Sequence, residues 1–515
     1  MPSAATTRAV ALAAAAGLLY WAAQPPLGVG WLGFVALAPL VLAVREASLL
    51  RAGLLGWIAG TIAFNGLTSP SVYEALVRAR HPVWLAAAEA FAVPQLTGAL
   101  HMAAFAAYAA VLERRWRGRP ARLFVLAAAW VAAELGRARI GHGMPWVLLA
   151  HSQTSHLPWL QVADVAGAAG TGFVLALVSA AVATAATDRA SAARRPLGVA
   201  LLGAALVTAL AYAYGERAMA RWGDIPGARI RVALVQGAVP AAWRYALPHV
   251  PDALARYRAL IAQAVGSRPD LVVLPETAVS ISPDANPSIL RTIASALGDT
   301  KAALVVGAPR TVMLAPDRAA TRNSAYLLDS AGAVRGLYDK RHLVPFGEMS
   351  TWLLPGGLPR WLGIEEAYSA GDSLPLFAID GVRFATSICW EGIYPDTARD
   401  AVLAGAEFLV NLSNDDWFGP RAATEQHFRA TLLRAIETRR FLVRVTNSGL
   451  TAVVDPRGAV VAAAPRDEPA VVSAEVVPLD GATPYTRVGD AFSWACTLAA
   501  ALALVAPASR GYGGR

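Results

Sequence analysis

The sequence predicts a two-part chain: a polytopic α-helical membrane bundle of eight spans, and an extracytoplasmic α/β domain carried between the seventh and eighth spans. Three observations predict it. Apolar residues fill 56% of 515 positions against 16% charged, and mean hydropathy is +0.44, outside the balance of soluble globular proteins. Apolar segments of about bilayer-crossing length recur through the first 215 residues and return once near the C-terminus. Between them, from about Arg229, short β-rich runs alternate with helical patterns.

The spans fall near 7–23, 27–44, 52–68, 83–111, 121–136, 164–187, 197–214 and 489–507. The first is read as retained rather than as a cleaved signal, because six more follow it. Pro94 inside the fourth predicts a kink, which helix packing in a membrane accommodates. Domain boundaries follow: 1–221 as a seven-span region, 222–480 as the α/β domain, and 481–515 as the final helix and tail.

Arginine orients the spans. With the N-terminus in the cytoplasm, Arg8, Arg45, Arg51, Arg114, Arg115, Arg117, Arg119, Arg122, Arg189, Arg194, Arg195, Arg510 and Arg515 lie inside. The opposing short loops hold only Arg78, Arg80, Arg137 and Arg139. Thirteen against four is a positive-inside bias, so both termini are expected in the cytoplasm and 222–480 outside it. The formal charge of +9 rests on 43 Arg and two Lys, with no aromatic-interleaved basic run of the kind a nucleic-acid surface needs. Two cysteines build no disulfide framework.

Two features of the membrane part invite other readings. Gly28-Val29-Gly30-Trp31-Leu32-Gly33 matches a dinucleotide fingerprint but sits in an apolar span with no preceding strand, so close packing through small residues is expected. The stretch Arg137 to Gln153, with Arg139, His142, Pro145, Trp146 and His151, is polar and aromatic; interfacial loop and lipid-headgroup site both fit it. Glu89 and Glu134 are the acidic residues deep in spans, too few for an ion pathway.

In the α/β domain, strands are expected at 230–235, 271–274, 303–306, 324–328, 382–388, 408–412, 442–445 and 451–454, and helices at 250–265, 287–297, 395–404 and 424–440. Three polar residues sit at ends of such runs. Glu276 closes Leu271-Val272-Val273-Leu274-Pro275, Lys340 follows Leu337-Tyr338-Asp339, and Cys389 ends the strand through Phe384. In open α/β sheets functional groups gather at the carboxyl ends of strands, so the three can converge. Lys340 stands out in a chain that otherwise chooses Arg, because an amine is a compact charge with a tunable pKa. Cys389 at a strand end facing a helix start meets partial positive charge that favours a thiolate; the alternative is a buried, inert cysteine.

Glu, Lys and Cys in this order resemble the catalytic set of the nitrilase superfamily, and the full length resembles its membrane-embedded branch, the apolipoprotein N-acyltransferase family. The motifs that carry the resemblance are Val235-Gln236-Gly237 with Trp243 after it, Leu274-Pro275-Glu276-Thr277, Tyr338-Asp339-Lys340-Arg341-His342-Leu343-Val344-Pro345-Phe346-Gly347-Glu348, and Cys389 with Glu391 two residues on. Asn411-Leu412-Ser413-Asn414-Asp415-Asp416-Trp417-Phe418 completes the set. Trp390 departs from the Tyr expected in some relatives. The resemblance implies an αββα sandwich, with Glu276 as general base, Lys340 as oxyanion cation and Cys389 as a nucleophile that forms a thioester. It marks Glu348 as needed, orienting Lys340 or holding a substrate amine, and Glu391, Trp243 and Trp390 as supporting residues. No cofactor is implied. Asp415, Asp416 and His427 lack metal-ligand spacing and read as loop and helix surface. His342 is a rival base only if its segment is a strand, which is not expected.

Topology narrows the substrate. Outside the cytoplasm neither ATP nor acyl-CoA is supplied, so the acyl donor must already be an ester. A membrane phospholipid meets that need, and the resemblance implies a diacylglyceryl apolipoprotein as acceptor. A monomer in the inner membrane is expected. The rival readings are a membrane-tethered amidase using the same residues on a carboxamide, and a non-enzymatic sensor or transporter.

Overall fold

In the computed structural model, the described residues are 4–78, 81–141, 143–187, 194–240, 243, 247–316, 318–344, 348, 368–419 and 421–507. Arg80, His142, Arg189, Pro345, Phe346, Gly347, Arg510 and Arg515 lie outside them. The chain forms two compact units, one of residues 1–73, 84–221 and 488–515, the other of 74–83 and 222–487.

The first unit is helical. Three of its helices are long and apolar enough to cross a membrane by length and composition: Val83–Arg115, Ala163–Thr187 and Leu197–Arg221. Ala4–Ala23 is a further helix, whereas the expected second span is broken into a 3-10 turn at Gly30–Phe34 and a short helix at Ala38–Val44. The kink expected at Pro94 takes the form of a π turn, Gln95–Ala99, which absorbs the hydrogen bond that proline cannot make. A second π turn, Thr61–Asn65, lies beside it, and Gln95 bonds to both Thr61 and Asn65. The last helix, Ala491–Val505, packs in the same unit, where the Tyr108 hydroxyl donates to the Ala500 carbonyl at 2.7 Å. Cys496 packs against Ala128 and Val131.

The described part of the stretch 137–153 divides, with Arg139, Ile140 and Gly141 exposed. Residues 145–153 are buried. Tyr20 donates to the Val147 carbonyl, Gln24 to that of Leu148 and Arg137 to that of Trp146, while the Glu134 carboxylate accepts the Leu149 amide at 2.7 Å. Polar side chains on helices thus satisfy the backbone of a buried irregular segment, as a non-aqueous surrounding requires. Gly33 permits its close approach, since a Cβ there would lie 2.5 Å from the Ser152 hydroxyl.

The second unit is a sandwich of two six-stranded sheets. The first has the order β12 (Ala470–Val476), β1 (Ile230–Gln236), β2 (Leu271–Val273), β3 (Ala303–Ala315), β4 (Arg318–Leu328), β5 (Val334–Asp339). The second runs β11 (Val460–Ala463), β10 (Ala452–Val454), β9 (Leu442–Thr446), β8 (Phe408–Ser413), β7 (Val382–Ile388), β6 (Leu376–Ile379). Strand alternation builds the layers. Val232, Leu234, Val273 and Val305 face Phe384, Phe408, Val410 and Val443 of the other sheet. Ala233, Val235, Val272 and Leu304 point away, to helices Val250–Val265 and Ser288–Ala294. Helices Pro395–Leu403 and Arg421–Thr438 cover the second sheet, giving four layers, αββα. β1, β2 and β3 are parallel, as are β7, β8 and β9, so their carboxyl ends share an edge in each sheet.

Candidate active site

Two backbone elbows and one strand end build the site. After β2 the chain turns through Pro275 and Glu276, with Thr277 at φ +51°. Gly307 on β3 lets that turn pass, because a Cβ there would come within 2.6 Å of the Pro275 carbonyl oxygen. After β7, Cys389 itself holds φ +52°, a left-handed conformation rare for a residue with a side chain and concentrated at functional positions. Lys340 follows β5, its amide donating to the Asn323 carbonyl of β4.

These positions bring the three expected residues together. Lys340 is fully buried, with Nζ 2.8 Å from Glu348 Oε1 and 3.4 Å from Glu276 Oε1. The Cys389 thiol feels both charges, Glu276 opposing its ionisation and Lys340 favouring it. Asn323 Nδ2 bridges the two acids, 2.7 Å from Glu276 and 3.1 Å from Glu348. Glu348 also accepts the Val344 amide through its other oxygen. It is therefore held against Lys340.

Two families match the sequence in parts: carbon-nitrogen hydrolase over residues 231–484, and the apolipoprotein N-acyltransferase N-terminal domain over residues 16–181. An apolipoprotein N-acyltransferase from Geobacter metallireducens is 33% identical over 502 residues, 95% of this chain and 94% of that protein. One from Azotobacter vinelandii is 32% identical over 92% of this chain and 90% of its own length. The chain belongs to the apolipoprotein N-acyltransferase family. Among solved structures, Nit3 of Saccharomyces cerevisiae, a member of branch 10 of the nitrilase superfamily, aligns at 21% identity and TM-score 0.37 over 48% of this chain and 90% of its own.

The protonation states in this family member differ from the sequence expectation of a resting thiolate. Burial pushes the Cys389 thiol up, and the Glu276 charge adds to it, outweighing the opposing pull of Lys340. Burial also raises Glu276; Lys340 opposes the rise and Glu348 reinforces it. Burial alone would strip Lys340 of its proton, but Glu348 and then Glu276 hold the ammonium well above its ordinary value. Burial and the neighbouring charges thus favour the thiol over the thiolate and hold the ammonium, and Glu276 keeps a proton more tightly than an ordinary glutamate.

A pH dependence follows. With Glu276 as the general base expected from the sequence, the rate of Cys389 acylation is expected to rise with pH through a Glu276 titration displaced above the ordinary glutamate range. Lys340, held above its own range, adds no fall on the alkaline side near neutrality. Single-turnover acylation measured from pH 4 to 9 should show that acid limb, and Glu276→Gln should remove it. A flat wild-type profile would dismiss Glu276 as the base.

The remaining acyltransferase-family positions divide. Glu391 is fully buried and clips the two catalytic segments together: Oε1 accepts the Tyr338 hydroxyl at 2.7 Å and the Arg341 and His342 amides, and Oε2 accepts the Ile388 amide at 2.7 Å. Trp390 is buried, donates to the Tyr394 hydroxyl, and lies near the rings of Phe418 and His427. Trp243 stacks on His249 and Arg256 among residues of the first sheet's helical layer, and its described contacts include none of the three catalytic candidates. His342 is not in a strand and stacks on Tyr394.

The expectation that Asp415 and His427 lie on loop and helix surface is wrong. Both are buried, His427 completely, against the Cys389 backbone. Asn323 and Arg444 also escaped notice. The available signal was local: Asn323 breaks the path into the apolar run 325–328, and Arg444 interrupts the β-rich stretch 442–445. A polar residue inside a core strand needs a buried partner.

Proposed function

We propose that the protein transfers a fatty acyl chain from a membrane phospholipid, through a thioester on Cys389, to the α-amine of the S-diacylglyceryl cysteine of apolipoproteins. The observation that carries the chemistry is the buried Lys340 ammonium 3.4 Å from Glu276, with both charges acting on the Cys389 thiol at its left-handed elbow. Near full-length identity to enzymes named for this reaction supports the substrates.

In the first half-reaction Glu276 takes the thiol proton as sulfur attacks the sn-1 ester carbonyl. Lys340 balances the charge that develops on the carbonyl oxygen. The ester C–O bond breaks, Glu276 returns the proton to the departing glycerol oxygen, and lysophospholipid leaves. In the second, the lipoprotein amine attacks the thioester and loses its proton to Glu276. The C–S bond breaks, and the thiol is restored. Glu348 keeps Lys340 placed, while Glu391 and Trp390 support the elbow. No cofactor enters.

The same reading makes the chain a monomeric multi-pass protein of the cytoplasmic (inner) membrane. It has eight spans in residues 1–221 and 481–515, cytoplasmic termini, and an extracytoplasmic catalytic domain at 222–480. The arginine bias supports the orientation. Tethering at both ends holds the catalytic domain where both lipid substrates are concentrated.

The test is incubation of the purified full-length protein with acyl-labelled phospholipid, then with a diacylglyceryl peptide. Label should appear on the Cys389 peptide as a hydroxylamine-sensitive adduct and move to the acceptor amine. Label that never appears on protein, with release of ammonia from a carboxamide, would favour the amidase.

A further inference from the structure

Behind Cys389 lies a buried polar network that the proposed mechanism does not use. Helix Arg421–Thr438 contributes His427, β8 and the turn after it contribute Asn411, Ser413 and Asp415, and β9 contributes Arg444; all five are buried. His427 Nε2 is 3.2 Å and Asn411 Nδ2 3.3 Å from the Cys389 carbonyl oxygen. On the other side of the ring, Nδ1 is 3.1 Å from Arg444 Nη2 and 3.0 Å from Asp415 Oδ1. Arg444 Nη2 in turn lies 3.1 Å from both Asp415 oxygens.

The neighbours of the ring fix where its proton sits. Arg444 and Asp415 neutralise each other. Burial would raise the Asp415 carboxyl, yet Arg444 and His427 hold it down at about 2. Burial and then Arg444 push His427 below its ordinary value, against the pull of Asp415. Nδ1 faces both an Arg444 N–H and the Asp415 carboxylate, whereas Nε2 faces the Cys389 carbonyl oxygen, which can only accept. The ring proton then sits on Nε2 and is donated to the Cys389 carbonyl. Cys389, Asp415 and His427 also bring ligand atoms within 4.8 Å of one another, but the Arg444 guanidinium already supplies the positive charge a metal ion would bring there.

We infer that His427, oriented by Asp415 and Arg444, is a positioning residue: with Asn411 it grips the carbonyl of the nucleophilic cysteine, holds the left-handed elbow, and so aims the thiol at Glu276. It is not a second base, because its proton is directed at a carbonyl oxygen and not at sulfur. The inference rests on the thioester reading for its kinetic consequence but not for its geometry.

The test compares His427→Gln, which keeps an amide donor near the place of Nε2, with His427→Leu, which has none. Single-turnover acylation by labelled phospholipid in the full-length protein should fall about 100-fold in His427→Leu, as for a misaimed reactant. It should stay within about fivefold of wild type in His427→Gln. The half-saturating lipid concentration and the position of the acid limb should not change in His427→Gln. Alkylation of Cys389 by iodoacetamide without lipid should follow the same order. Equal rates in wild type and His427→Leu, a glutamine variant as slow as the leucine one, or an acid limb that moves with His427 would overturn the inference. Absence of label in wild type together with the alkylation order would sink the thioester reading and leave the positioning role standing. Should His427→Leu not fold, the tautomer in histidine-labelled wild-type protein decides. Nitrogen NMR, with the resonance assigned by its loss in His427→Gln, should show Nε2–H from pH 6 to 9 with Asp415, Arg444 and Cys389 facing the ring. An Nε2 that carries no proton in that range would refute it.

Discussion

Cys389→Ala is expected to leave no acyl label on the protein and to lower transfer to the acceptor amine by on the order of 10⁴-fold or more, the scale seen when a covalent nucleophile is removed. The effect is large because nothing else near the elbow can replace the sulfur. Among the described residues the other cysteine, Cys496, is packed in the helical unit against Ala128 and Val131. Cys389→Ser should fail almost as badly, since burial that already raises a thiol would hold a hydroxyl even further from ionisation. The measurement is intact-protein mass after incubation with labelled phospholipid. Label retained in Cys389→Ala would transfer the nucleophile to another residue.

Lys340→Arg should lose about 10²–10³-fold in acylation rate, the scale of one oxyanion donor, although the charge is kept. Lys340 has no exposed surface, and its ammonium is wedged between Glu276 at 3.4 Å and Glu348 at 2.8 Å. A guanidinium would satisfy both acids in a fork but is too broad to leave a point charge facing the developing oxyanion. The loss should fall on the acylation step, with lipid binding little altered, because the oxyanion exists only beyond the ground state. An unfolding midpoint close to wild type would separate this from misfolding. Wild-type turnover in a folded Lys340→Arg protein would remove the ammonium from the mechanism.

The helical region, the strand and helix alternation and the trio on which the proposed reaction rests were all legible in the linear chain, since each is written in local signals. Hydropathy over a window reports partition into lipid, period-two and period-3.6 patterns report which face is buried, and a lysine in an arginine-rich chain reports chemistry that arginine cannot do. The expected helix at 250–265 is the helix observed, Val250–Val265. Boundaries suffered where pairing partners extend an element, as in β3, which runs nine residues beyond the expected 306 because β4 continues alongside it. β5, β6, β11 and β12 were missed. β12 is mostly half-exposed and is held by β1 from more than 230 residues away, Ile230 opposite Val476.

The support of the site was beyond local reading for the same reason. Asp415, His427 and Arg444 come from a turn, a helix and a strand, and each alone looks like ordinary solvated polarity. Glu391 likewise looks like a neighbour of the nucleophile, when its carboxylate joins four backbone and side-chain donors from two segments. Burying a charge is favourable only when its partners arrive with it, and those partners meet only after the two sheets have packed. Residue types named the chemistry; long-range packing set the protonation states and the aim of the thiol.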